Sequence, residues 1–176
     1  MLRAVYLSLT DRRIKAVRAA LRACASLAGD LAAAPEGAPA ALRPLMKELE
    51  EAAREGVPAS GPAAAAALDL LLRLEKFFSC LALHRTPPDA RTRQALALLQ
   101  RACSRAPRLL SLGRKAALEE IRAACASARA LLQAAAAEAE EAPAGFPEKL
   151  KFCSIYSDLG GIFSALERCA EALYGR

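Results

Sequence analysis

Apolar residues recur at alternating intervals of three and four along most of this chain, and no sustained run alternates Val, Ile or Thr with polar residues. Such spacing sets apolar side chains on one face of a helix at about 3.5 residues per turn, whereas a half-buried strand needs a period of two. The chain therefore reads as all-α. About a quarter of its residues are Ala, the best helix former and a side chain small enough to let helices approach closely. With 176 residues, 55% of them hydrophobic, there is enough chain to bury a core in one domain or in two small bundles.

Six helical stretches follow from the spacing. The first spans about 11–33, with Ile14, Val17, Leu21, Cys24, Ala28 and Leu31 in line and Thr10 or Asp11 as the cap. Pro35 to Pro39 separates it from a shorter second helix, about 40–55, carrying Leu42, Leu45, Leu49 and Ala52. The third covers about 62–84, with Ala67, Leu71, Leu74, Phe78 and Leu81, and Pro87-Pro88 follows it. The fourth, about 89–112, holds Pro107, which predicts a kink or break, and Gly113 reads as its stop. The fifth covers about 114–141. The sixth, about 148–174, has the cleanest stripe: Phe152, Tyr156, Leu159, Phe163, Leu166, Ala170 and Leu173.

Short Pro/Gly loops predict that consecutive helices are antiparallel neighbours. Leu74-Glu75-Lys76 and Leu166-Glu167-Arg168 echo one another at a constant offset of 92 residues, each near the end of the third helix of a trio. The expectation is two tandem three-helix bundles, residues 1–86 and 87–176, with core centres at Leu71, Leu74, Phe78, Leu159, Phe163 and Leu166. Gly160-Gly161 inside the sixth helix predicts a kink or a close backbone contact.

Catalytic templates find no purchase. One His and no Gly-x-Ser-x-Gly leave a Ser/His/Asp hydrolase without support, and no phosphate-cradling glycine loop is present. A non-enzymatic protein is expected. The six cysteines form no Cys-x-x-Cys pair, and five of them, Cys80, Cys103, Cys125, Cys153 and Cys169, sit on or beside apolar stripes, as buried structural thiols do. The apolar run Ala4 to Leu9 is too short for a signal peptide, and no run approaches the 18 or so residues of a membrane span, so reduced thiols in a cytoplasmic protein are expected.

The net charge of +6 is unevenly spread: Arg85, Arg91, Arg93, Arg101, Arg105, Arg108, Arg114 and Lys115 face one acid, Asp89, within residues 85–115. A solvated helix face is the plain reading, and an acidic protein surface or lipid headgroups is the functional one. Without interleaved aromatics, nucleic acid is a poor match.

Glu167 and Glu171 lie one helical turn apart at the edge of the sixth stripe, where two carboxylates repel mildly unless a cation bridges them. Leu166-Glu167-Arg168-Cys169-Ala170-Glu171 and its counterpart Leu74-Glu75-Lys76-Phe77-Phe78-Ser79 resemble the PhoU-like family. That family regulates phosphate uptake, and some members are cytosolic domains of sodium–phosphate cotransporters. The resemblance implies a regulator that docks on a membrane transporter or its signalling partner, at the inner face of the membrane. It also implies a metal site at Glu75, Glu167 and Glu171. Ser79 stands where the family has another acid, so no tight cofactor is expected, only a weakly held divalent or trivalent cation. The alternative is a helical-bundle scaffold with no metal or phosphate role.

Overall fold

The computed structural model describes residues 12–30, 61–85, 87–110 and 113–175, together with Pro44, Met46, Lys47, Glu50 and Glu51. The described residues form five α-helices and one 3₁₀ turn: α1 (Arg12–Asp30), α2 (Gly61–His84), α3 (Ala90–Arg105), the 3₁₀ segment Ala106–Leu110, α4 (Arg114–Glu141) and α5 (Phe146–Tyr174). No strand occurs among them. The expected helix over 40–55 lies mostly outside the described residues, as do its flanking loops and the cap expected at Thr10 or Asp11; its five described positions are helical.

Local chemistry sets the helix ends. Asp89 is extended (φ −74°, ψ −179°), and its carboxylate accepts the Thr92 amide at 2.6 Å, capping α3. Pro107 cannot donate to the α-ladder, and α3 tightens there into the 3₁₀ segment, the break its position predicts. Gly113, read as a stop, instead starts α4 with φ +90°, a conformation that strains any residue with a Cβ. Gly145 precedes α5, whose first turn holds Pro147.

The helices close into a ring. α2 packs on α5, the most extensive pairing, α5 on α4, α4 on α3, α3 on α1, and α1 returns to α2. One hydrophobic cluster fills it, with contributions from all five helices, and it contains Leu71, Leu74, Phe78, Leu159, Phe163 and Leu166, each at most 1% exposed. Cross-helix pairs give the directions. Asp69–Arg168 (2.5 Å) and Lys76–Asp158 (2.7 Å) make α2 and α5 antiparallel. Arg91–Glu138 (2.8 Å) and Arg105–Glu120 (3.0 Å) do the same for α3 and α4.

Two expectations about neighbours need correction. α2 and α3 follow one another but do not pack side by side, because α1 stands between them in the ring. Pro87 and Pro88, fixed in φ and unable to continue a helix, carry the chain across the bundle end. The closest partnership, α2 with α5, joins residues from either side of the boundary expected at 86/87, and these two helices carry the echoed segments. α5 runs unbroken through Gly160-Gly161. Only Gly161 marks a close approach: a Cβ there would stand 2.9 Å from Arg73 Nη1, whereas one on Gly160 would meet nothing within 4 Å.

Candidate functional site

Glu167 and Glu171 project from α5 toward α4, where each meets an arginine. Arg129 Nη1 donates to Glu167 Oε2 at 2.6 Å, and Arg122 Nη2 donates to Glu171 Oε1 at 2.6 Å. These hydrogen bonds raise the pKa of both guanidinium groups. Two arginines thus supply the positive charge that a bridging cation would otherwise bring. Glu75 is not part of this arrangement. Arg73 overlies α5 at Gly161, and Glu75, two residues on, is about 200° further round α2. The structure therefore leaves Glu75 apart from the other two, and no group of three His, Cys, Asp or Glu among the described residues is arranged to hold a metal.

The thiols divide into two sets. Cys24, Cys103, Cys125 and Cys169, from α1, α3, α4 and α5, are buried in the common core, while Cys80 and Cys153 are half-buried at helix edges, a correction to the expectation of burial for both. A hydrogen bond with Cys24, together with burial, pushes the Cys103 thiol well up. Burial pushes Cys125 up to about 12, aided by the negative charge of Glu167, and Cys125 donates to the Phe163 carbonyl at 3.7 Å. Burial likewise lifts Cys169 to about 12. Thiols in this state stay protonated at neutral pH and are poor nucleophiles.

Much of the basic run at 85–115 is engaged within the fold. Arg91 and Arg105 pair with Glu138 and Glu120 of α4, and Lys115 pairs with Glu119 at 4.0 Å. Arg114 donates to the Tyr174 carbonyl and lies 5.0 Å from the centre of that ring. The larger pattern emerges only with the helix order. α1, α3 and the 3₁₀ segment contain ten basic residues (Arg12, Arg13, Lys15, Arg18, Arg22, Arg91, Arg93, Arg101, Arg105, Arg108) and a single acid, Asp30. α2 is balanced, with two of each sign, and α4 and α5 each carry one more acid than base.

Because α1 and α3 are neighbours, the excess collects on one face, where Lys15, Arg22, Arg93 and Arg101 are exposed. All aromatic side chains among the described residues lie elsewhere, on α2 and α5. Sequence reading found the part of this face that is contiguous in the chain and missed α1, whose five bases were visible but not its place beside α3. Comparison of the chain with protein-family models, with curated proteins and with solved structures found no match.

Proposed function

We propose that this protein is a non-catalytic helical docking module whose α1/α3 face receives an acidic surface of a partner protein. The observation that carries this reading is the segregation of charge: nine bases against one acid on the two adjacent helices α1 and α3, and near balance on the other three. Dispersed charges of both signs serve solubility; a single-signed face steers encounter with an oppositely charged partner and costs self-repulsion while it stays unpartnered. A protein partner suits the face better than single-stranded nucleic acid, because it offers no aromatic ring on which bases would stack.

Phosphate regulation through a transporter or its signalling partner is the narrower form of the same reading. It draws on the resemblance of the segment from Leu166 to Glu171, and it needs docking rather than a metal, since Glu167 and Glu171 are already held by Arg129 and Arg122.

The test is capture of a partner from native extract at two salt concentrations, with wild-type protein and with Lys15, Arg22, Arg93 and Arg101 all replaced by Gln. A specific acidic partner retained by wild type and lost from the variant supports the reading. High salt should weaken capture as well, since the Debye length shortens to about 3 Å at 1 M. Equal capture by both proteins refutes it.

A further inference from the structure

We propose that Cys24 of α1 and Cys103 of α3 are a modification site: a thiol pair inside the core that hydrogen peroxide closes into a disulfide. Its basis is independent of the basic residues on the outer side of the same two helices.

The placement follows from helix register. α3 and α4 run antiparallel, with Arg91 opposite Glu138 and Arg105 opposite Glu120, which sets Cys103 level with Cys125. α4 and α5 run antiparallel through Arg129–Glu167 and Arg122–Glu171, which sets Cys125 level with Cys169. Cys24 joins them through its hydrogen bond with Cys103. One cross-section of the bundle thus holds four thiols from four helices, each at most 1% exposed.

Contact singles out one pair among the four. Cys24 and Cys103 meet through their sulfurs, whereas Cys125 donates to the Phe163 carbonyl at 3.7 Å and is tied to the backbone of α5. Cys169 feels Cys24 only through its charge. α1 and α3 also approach closely. Gly29 lies five residues after Cys24, and a Cβ added there would stand 2.6 Å from Gln100 Nε2 of α3. Ala20, Ala28, Ala95 and Ala102 are buried on these two helices. Small side chains bring helix axes toward the near end of the usual 8–10 Å or so, and a disulfide takes Cα atoms about 5.5–6 Å apart.

The chemistry needs only these two sulfurs and peroxide. Burial and the hydrogen bond to Cys24 keep the Cys103 thiol protonated, so Cys24 is the sulfur that meets the oxidant. The Cys24 thiolate attacks one peroxide oxygen and the O–O bond breaks. The departing hydroxide takes the proton that Cys24 released, leaving a sulfenic acid and water. The Cys103 sulfur then attacks the Cys24 sulfur; the S–S bond forms, the S–O bond breaks, and the hydroxyl leaves with the Cys103 proton as a second water. The two thiols lose two electrons and the peroxide gains them. The product is neutral, which suits an apolar core; two thiolates around a monovalent soft cation would leave a net charge there. Access runs through α1, because its seam with α2 is the least extensive in the ring and lifting α1 gives up the least packing.

Peroxide treatment of the fully reduced protein tests this, with alkylation in denaturant as the quench and peptide mapping by mass spectrometry as the readout. Cys24 and Cys103 should lose alkylation in equal measure and appear in one linked peptide pair, and dithiothreitol should restore both. Cys103→Ser should leave Cys24 as a sulfenic acid that dimedone traps, and Cys24→Ser should leave Cys103 reduced, with circular dichroism checking that each variant keeps its helices. The linked protein should unfold at a higher urea concentration than the reduced one, because the bond closes a loop of roughly eighty residues.

The wild-type map decides the matter even where a variant fails to fold. Cys24 and Cys103 still fully alkylated after Cys80 and Cys153 have been oxidised would overturn the proposal, and so would Cys103 linked to Cys125 or Cys169. A linked protein that unfolds at lower urea overturns it as well, since the bond would then have formed only by forcing the core apart.

Discussion

Replacing Asp89 by Ala removes two anchors at once. One carboxylate oxygen caps α3 through the Thr92 amide at 2.6 Å, and the other accepts the Tyr156 hydroxyl from α5. Loss of an N-cap costs about 1 kcal/mol, and a buried hydroxyl deprived of a charged acceptor costs about 1.5–3 kcal/mol. Asp89→Ala should therefore destabilise the fold by about 2–4 kcal/mol. Tyr156→Phe should cost about 1–1.5 kcal/mol, and Asp89→Asn, which keeps a cap, should fall between the two.

Because the pair is in contact, the double variant Asp89→Ala/Tyr156→Phe should cost less than the sum of its parts by about 1 kcal/mol. Acid sensitivity follows from the same bonds. Burial works against the Asp89 carboxylate, but hydrogen bonds from Tyr156 and Thr92 outweigh it and hold the pKa below the ordinary carboxylate value. The stabilisation is thus complete above the unfolded pKa of about 3.9 and disappears as pH falls through the lower folded value. Urea unfolding followed by circular dichroism, at neutral pH and at about pH 3, reads all of this. A cost below about 0.5 kcal/mol for Asp89→Ala, or strict additivity with Tyr156→Phe, would refute the reasoning.

Three further outcomes are expected. Gly160→Ala should stabilise α5 by about 0.5–1 kcal/mol, since its Cβ enters open space, while Gly161→Ala should gain less because Arg73 must first move away; chemical denaturation of the two variants makes the comparison. Brief alkylation of native protein read by mass spectrometry should label Cys80 and Cys153 and spare Cys24, Cys103, Cys125 and Cys169, with all six reacting in denaturant; early labelling of the buried four would show that the core opens readily. Calorimetry with Mn²⁺ or Ca²⁺ should show no stoichiometric binding, because Arg122 and Arg129 already hold Glu171 and Glu167; a bound metal lost on Glu167→Gln/Glu171→Gln would reverse that conclusion.

What periodicity encodes, the fold bears out. The stripe on α5 is buried from Tyr156 to Leu173, with only its first member, Phe152, half-buried, and Pro107 ends α3 as its missing amide requires. A helical repeat records which face of each helix turns inward, but not which helix it meets there. Hence Tyr156 and Asp89, 67 residues apart, gave no sign of their bond, and Glu167 read as an open carboxylate when Arg129 stands over it.

The crossing of the chain over the bundle end has a consequence for how the molecule is made. α2 leaves directly into α3, yet its principal partner is α5, and the pairing of Asp69 with Arg168 spans 99 residues. During synthesis, α3 and α4 can associate as soon as both have emerged, since they are consecutive and antiparallel. α2 must wait. Its apolar face, with Phe77, Phe78 and Leu81, has only α1 for extensive cover until α5 follows, and long-range closure of this kind slows folding and lengthens the time in which apolar surface is open to aggregation.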